Sequence, residues 1–207
     1  MSIRIKICGI MHPDDARAAL DAGADMIGLN FVLDSPRQLD LKTAAEIAEQ
    51  VAGQVERVAV FRDALPEEIE RVLRRVDLER VQLHGNESRE DVEAIDLPVI
   101  KAIRGADIEA AETYPGTVLL VDHPTEGGGS GKTWNWSESA VLIEQGHDII
   151  LAGGLNPDNV GEILGGFEDL LPWGVDVATG VEGPDRRKDP LRMAAFVEAV
   201  RKSEGRG

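Results

Sequence analysis

The residues best suited to chemistry each stand at or near the end of a short apolar run. Cys8 follows Ile3-Arg4-Ile5-Lys6-Ile7, and Asp122 follows Val118-Leu119-Leu120-Val121. Arg37 lies in Ser35-Pro36-Arg37, and Asp176 sits between Val175 and Val177. A thiol and a carboxyl can divide acid–base work, one taking a proton while the other gives one. Each also has a plainer reading. Cys8 fits a small buried hydrophobe, Asp122 a loop cap, Arg37 an ordinary surface arginine. Strand alternation points Asp176 either into a barrel mouth or toward a helix. His84, in Gln82-Leu83-His84-Gly85, fits a core histidine with its ring nitrogens satisfied.

The glycines are more specific. Gly153-Gly154 stands directly before Leu155-Asn156-Pro157, where an Asn-Pro pair opens a helix. Free backbone N–H groups at a helix N-terminus, with the helix dipole behind them, suit a phosphate. Thr179-Gly180 is a second such turn. The stretch Glu126-Gly127-Gly128-Gly129-Ser130-Gly131-Lys132-Thr133 looks like a nucleotide-binding P-loop, but Glu126 stands where G-x-x-x-x-G-K-[ST] needs glycine. Trp134-Asn135-Trp136 follows in place of a clear helix. The stretch therefore reads as a mobile loop able to close over a substrate. His12, His84, His123 and His147 form no close-spaced pair, so no metal site is expected, and no cofactor motif is present.

These residues need elements to hold them. Short β-rich runs cover Ile3–Ile7, Met26–Asn30, Arg57–Phe61, Arg80–Leu83, Val99–Ile103, Val118–Val121, Asp148–Ala152 and Gly174–Val177. Helical periods lie between them: Ile69, Val72, Leu73 and Val76 recur at i, i+3, i+4, i+7, as do Met193, Phe196, Val197 and Val200. Asp189-Pro190 opens the last helix as Asn156-Pro157 opens the seventh. Eight alternating units predict a single (β/α)8 barrel, a TIM barrel, of class α/β. An open sheet would place a Gly-rich dinucleotide turn after its first strand, and Cys8-Gly9-Ile10 is not one. No linker or composition break divides the chain, so residues 1–207 read as one domain ending in a frayed tail, 203–207. In such barrels reactive groups gather at the C-terminal ends of the strands, and phosphates at the loops after strands seven and eight. All the candidates above fall on that rim.

Composition narrows the class. Acidic residues number 38 against 22 basic ones, and only 6 of the latter are lysine. Nucleic acid would be repelled by the net charge of −16. Either the protein is simply acidic, or it is adapted to high salt, where self-repulsion is screened. No run of about 18 apolar residues predicts a membrane span. The N-terminus enters a strand at once and shows no secretory signal. Cys8 is the only cysteine, which excludes an intrachain disulfide. A cytoplasmic monomer is expected, since no exposed hydrophobic stripe stands out.

Taken in order, the motifs resemble phosphoribosylanthranilate isomerase, an enzyme family of tryptophan biosynthesis. They are Lys6-Ile7-Cys8-Gly9; Phe31 with Ser35-Pro36-Arg37; Val81-Gln82-Leu83-His84-Gly85; and Ile100-Lys101-Ala102. Next come Asp122 with Gly128-Gly129-Ser130-Gly131-Lys132-Thr133, then Leu151-Ala152-Gly153-Gly154-Leu155-Asn156-Pro157, then Gly174-Val175-Asp176-Val177 with Gly180-Val181-Glu182. The likeness runs from about residue 3 to about residue 200. It implies a cofactor-free Amadori rearrangement of a phosphorylated aminosugar. Cys8 would be its general base and Asp122 its general acid. Arg37 would pair its planar fork with the anthranilate carboxylate, and Asp176 would hold a ribose hydroxyl. N–H groups of Gly153, Gly154, Thr179 and Gly180 would bind the phosphate, with His84 a further candidate. Two departures bear on these roles: His123-Pro124 follows Asp122 in place of a small polar residue, and Ala178-Thr179 replaces a serine pair. The related isomerase of histidine biosynthesis uses an aspartate where Cys8 stands. A non-catalytic sugar-phosphate binder would need no acid and base at strand ends. A cysteine nucleophile would need an activating histidine, and none is clearly placed.

Overall fold

The computed structural model describes residues 2–125, 133–167 and 170–205. Eight parallel strands close in sequence order into a barrel. They are β1 (Arg4–Cys8), β2 (Met26–Asn30), β3 (Glu56–Phe61), β4 (Arg80–Leu83), β5 (Val99–Arg104), β6 (Val118–Asp122), β7 (Ile149–Leu151) and β8 (Gly174–Val177). Each differs from its sequence expectation by no more than a residue at either end. The helices between and after them are α1 (Pro13–Ala22), α2 (Leu41–Gln50), α3 (Pro66–Leu73), α4 (Arg89–Glu93), α5 (Ile108–Thr113), α6 (Ala140–Glu144), α7 (Val160–Gly165) and α8 (Pro190–Glu204).

Strand alternation builds two cores. Side chains such as Ile5, Ile7, Ile27, Leu29, Val175 and Val177 face the helices and join one large apolar layer. Their alternates Met26, Val58, Ile100, Leu120, Ile150 and Ala152 fill the barrel interior. Lys6 and Cys8 on β1, Gln82 on β4, Asp122 on β6 and Asp176 on β8 belong to the inward set by the same period of two. The N-terminal mouth is closed by charge: Arg4 and Arg80 both pair with Glu56 and lie over Trp173, 4.9 and 5.7 Å from its ring centroid. What remains open is the C-terminal mouth.

The two helix starts expected at an Asx-Pro pair turn out differently. Asp189 caps α8, accepting from the N–H groups of Leu191 (2.9 Å) and Arg192 (3.3 Å), and Pro190 takes the first helical position. Asn156-Pro157, in contrast, does not open α7 directly. The Asn156 side chain accepts from Asp158 and Asn159 N–H groups, shaping a turn, and the helix begins only at Val160. The first part of the expected frayed tail is helical instead: α8 runs to Glu204, whose carboxylate accepts from Ser2 Oγ (2.8 Å) and the Ile3 N–H. The P-loop-like stretch lies outside the described residues apart from Thr133.

Candidate active site

The C-terminal mouth holds a cavity of about 390 Å³. Cys8, Arg37, His84, Asp122, Gly153, Gly154, Asp176, Thr179 and Gly180 all line it, so the fold brings together every candidate read from the sequence. Among the described residues no cluster of His, Cys, Asp and Glu could hold a metal.

The wall formed by β1 and β8 is ionic. Lys6 Nζ, wholly buried, donates to Asp176 Oδ1 at 2.8 Å, with the two residues paired in register across β1 and β8. Asp176 therefore faces the barrel interior, which settles the alternation left open by sequence. Cys8 sits above Lys6 on the same inward face. Burial pushes its thiol up, Lys6 and Lys188 pull it back, and Asp176 pushes it up further; the outcome is a raised pKa.

Beside them stands a second ionic group. Arg37 donates from Nε to Glu182 Oε1 (2.6 Å) and from Nη2 to Glu182 Oε2 (2.9 Å), and also from Nη2 to Thr179 Oγ1 (3.1 Å). The planar fork that the resemblance offers to a carboxylate is thus partly taken up within the protein. The Nε–Nη2 edge is occupied by Glu182, and only Nη1 makes no bond to another described residue. Bonds from Glu182 hold the Arg37 pKa up despite its burial. Glu182 is itself braced by Lys188, whose buried Nζ donates to Glu182 Oε1 (2.8 Å) and Ala178 O (3.0 Å). Burial works against the Glu182 carboxylate, but Arg37 and Lys188 together hold it below its ordinary range. Burial likewise lowers Lys188, more than Glu182 raises it. The turn carrying Lys188 is tied to α1 through Arg187, which pairs with the buried Asp15 at 2.7 Å.

The facing wall, from β4 and β6, is built differently. Gln82 Nε2 meets His84 Nδ1 at 2.8 Å, and His84 Nε2 lies 3.2 Å from Asp122 Oδ2. The ring thus links the Gln82 amide to the Asp122 carboxyl, one nitrogen facing each. The other Asp122 oxygen accepts the His123 N–H at 2.8 Å. Both His84 ring nitrogens are thus satisfied, but the ring lies at the cavity surface rather than in the core, joining Gln82 to Asp122.

The glycine turns close the rim. Gly153 and Gly154 both hold left-handed backbones, φ 80° and 76°. A Cβ on Gly153 would also lie 2.7 Å from Asp122 Oδ1, so only glycine lets this turn lie against that carboxylate. Gly180 packs against the same turn from the other side, where a Cβ would lie 2.0 Å from Leu155 O. Thr179–Val181 forms a single 3-10 turn. Arg192, on the first turn of α8, donates to Gly180 O and also lines the cavity.

Sequence reasoning assigns no role to Lys6, Gln82, Glu182, Lys188 or Arg192. Lys6 has a usable signal, because it lies two residues before Cys8 and must share its face. Gln82 and Glu182 stand in the motifs that carry the family resemblance, though without a role, while Lys188 has no signal because it is placed by its contacts with Glu182 and Ala178.

A closed eight-stranded barrel with a thiol, a carboxyl and an arginine around one C-terminal mouth has the layout of a barrel enzyme's active site. Comparison with known proteins gives the family. A family described as N-(5'phosphoribosyl)anthranilate (PRA) isomerase matches residues 5–199, and the chain belongs to it. The N-(5'-phosphoribosyl)anthranilate isomerase of Pseudomonas aeruginosa is 44% identical over 207 residues, covering 97% of this chain and 96% of that protein. The crystal structure of phosphoribosyl anthranilate isomerase from Thermus thermophilus superposes with a TM-score of 0.87 at 35% identity, covering 97% of this chain and 99% of the other. A further isomerase structure, solved in complex with reduced 1-(o-carboxyphenylamino)-1-deoxyribulose 5-phosphate, gives 0.83 at 32% identity, with the same coverage of 97% and 99%.

Proposed function

We propose that this chain converts N-(5'-phosphoribosyl)anthranilate to 1-(2-carboxyphenylamino)-1-deoxyribulose 5-phosphate, with Cys8 as general base and Asp122 as general acid. The observation that carries the reading is that these two groups line one cavity from separate walls, on β1 and β6. Asp122 gives its proton to the furanose ring oxygen as the bond to C1′ breaks and the anthranilate nitrogen's lone pair forms a C1′=N Schiff base conjugated with the aromatic ring. The Cys8 thiolate then takes the C2′ proton. The electron pair shifts toward nitrogen, and the resulting enolamine tautomerises to the ketone. Acid and base must belong to different environments for this, and here they do.

The rest of the cavity fits the ends of the substrate. Arg37 offers Nη1 to the anthranilate carboxylate while Glu182 fixes the opposite edge of the guanidinium. Asp176 accepts from a ribose hydroxyl. The N–H groups of Gly153, Gly154, Thr179 and Gly180 receive the phosphate, with Arg192 beside them. The short α7 starts at Val160, too far along to supply its own N-terminus, so the left-handed glycine turn carries this assignment. No cofactor enters this scheme. No helix among the described residues is long and apolar enough to cross a membrane. We further take the chain to be one domain, working in the cytoplasm as a monomer. Among the described residues, the exposed large hydrophobics Leu33, Leu65, Ile108 and Leu191 are few. The net charge of −16 suits a high-salt interior.

The direct test is turnover of freshly made phosphoribosylanthranilate, followed by loss of its fluorescence. Purified protein that leaves the fluorescence decaying at the uncatalysed rate would refute the activity.

A further inference from the structure

Lys6 keeps its charge where a charge is costly, since its side chain is wholly buried inside the barrel. Burial alone would lower its pKa, but Asp176 first and Cys8 second hold it above the ordinary lysine value. The approach of Lys6 to Cys8 is built into the backbone. Gly28 on β2 stands opposite Cys8 in register. A Cβ there would lie 2.7 Å from Cys8 Sγ and 3.2 Å from Lys6 Nζ. Gly28 is not among the glycines with positive φ, so what its missing side chain supplies is space. Ammonium and thiol come together over that glycine.

Three other charged groups face the thiol. Lys188 and Arg37 act on it from the turn before α8 and the loop before α2, but both are bonded to the shared carboxylate of Glu182. Asp176, on β8, opposes the thiolate and competes for the same Lys6 nitrogen. The balance around Cys8 is therefore three cations against two carboxylates, an excess of one positive charge. One thiolate would neutralise it.

We propose that Lys6 is the positioning residue that supports the Cys8 thiolate, and that Asp176 restrains that ionisation by sharing the Lys6 ammonium. This rests on the reading of Cys8 as the base, and it goes further by naming what ionises it. It also gives Asp176 a second role beside substrate binding. A substrate hydroxyl donating to Asp176 disperses its negative charge, weakening its hold on Lys6 as the base is needed.

The test is thiol titration, which needs no substrate. Cys8 is the chain's only cysteine, so iodoacetamide uptake read by mass reports it alone. The pH midpoint and neutral-pH rate of alkylation are compared for the wild type, Lys6→Met and Asp176→Asn, with Cys8→Ser as the blank. Lys6→Met should move the midpoint to higher pH and slow neutral-pH alkylation about tenfold, a tenfold change being one pKa unit. Asp176→Asn should move it to lower pH and speed alkylation. Simple loosening of the barrel would shift both variants the same way, and that result would overturn the proposal. Should Lys6→Met fail to fold, Asp176→Asn decides alone: an unmoved or raised midpoint overturns it. Opposed shifts in variants whose turnover ignores thiol ionisation would uphold the Lys6–Cys8 coupling while removing Cys8 from the reaction.

Discussion

The two walls of the cavity hold their proposed catalytic groups by opposite means. On the β1 and β8 side, Cys8 is surrounded by Lys6, Lys188 and Arg37, with Asp176 and Glu182 partly neutralising them. On the β4 and β6 side, Asp122 touches an imidazole and a backbone N–H, and behind them a neutral amide. The difference follows from what each group must carry. A base acting as an anion gains from buried cations nearby, since a thiolate in an apolar site is heavily penalised. An acid must present its carboxyl toward the ring oxygen, and the His84 ring and the His123 N–H fix the Asp122 carboxyl on this wall. One wall is thus assembled from Lys and Arg ion pairs and the other from a hydrogen-bonded chain of amide, imidazole and carboxyl.

The largest expected effect comes from removing either reacting group. Cys8→Ser and Asp122→Asn should each lower kcat by roughly 10²–10⁴-fold, the usual contribution of a general acid or base, while substrate still binds. Steady-state kinetics with separate measurement of affinity checks this. Near-normal turnover in one variant would remove that wall from the mechanism and leave the comparison without its chemical meaning.

The walls should also differ in stability when their supports are cut. Glu182→Gln leaves the buried Lys188 and the half-buried Arg37 without their shared carboxylate. Breaking one partner out of a buried ionic group typically costs on the order of 3–5 kcal/mol. Gln82→Leu removes a single neutral hydrogen bond from the other wall, for a loss of about 1 kcal/mol. Gln82 Oε1 already has no partner among the described residues, which favours the smaller loss on that side. Denaturant unfolding of both variants measures the contrast, and equal losses would show that the ionic wall is not specially dependent on its charges.

Arg37→Ala tests the edge of the ionic wall that meets substrate. Binding should weaken by about 1.5–3 kcal/mol, as for a lost charge-assisted hydrogen bond. An analogue lacking the anthranilate carboxylate should lose far less. Because Glu182 occupies the Nε–Nη2 edge, the contact available to that carboxylate runs through Nη1 alone, which favours the lower end of the range. Matching losses for the two ligands would mean that Arg37 meets some other part of the substrate.

Much of this arrangement is legible in the amino-acid sequence. Cys8, Asp122 and Asp176 stand out there because strand alternation and strand ends are short-range features. The eight strands follow from the same local pattern. Arg37 falls on the rim as its loop predicts, but its orientation depends on Glu182, 145 positions away in the chain, and no local pattern encodes that contact. Asn156-Pro157 carries a helix-start signal that the chain uses for a turn, because the Asn156 side chain bonds two consecutive N–H groups before α7 begins. His84 reads as a core residue in sequence, since nothing in Gln82-Leu83-His84-Gly85 says that the next layer across is Asp122.

The smallest expected effect contrasts the positively charged wall with the molecule's negative exterior. The chain carries −16 overall, yet its substrate is a phosphorylated carboxylate that must be drawn to a cavity wall of net positive charge. Salt acts on these two parts in opposite directions. In dilute buffer the outer carboxylates repel one another over tens of ångströms, while at about 1 M salt the Debye length is about 3 Å. The folded state should therefore gain stability as KCl rises, because compactness concentrates the repelling charges. The hold of Arg37 and the phosphate turns on an anionic substrate should weaken under the same screening, raising KM. Buried pairs such as Lys6–Asp176 should be affected least, because solvent ions do not reach them. Melting temperature and KM are accordingly measured as separate series from 0.1 to roughly 2 M KCl, about the range over which screening at a few ångströms sets in. A melting temperature that is flat or falls would reject salt adaptation of the surface without touching the isomerase assignment. A KM that stays flat while stability rises would instead show that substrate capture depends on contacts rather than on the field of the cavity.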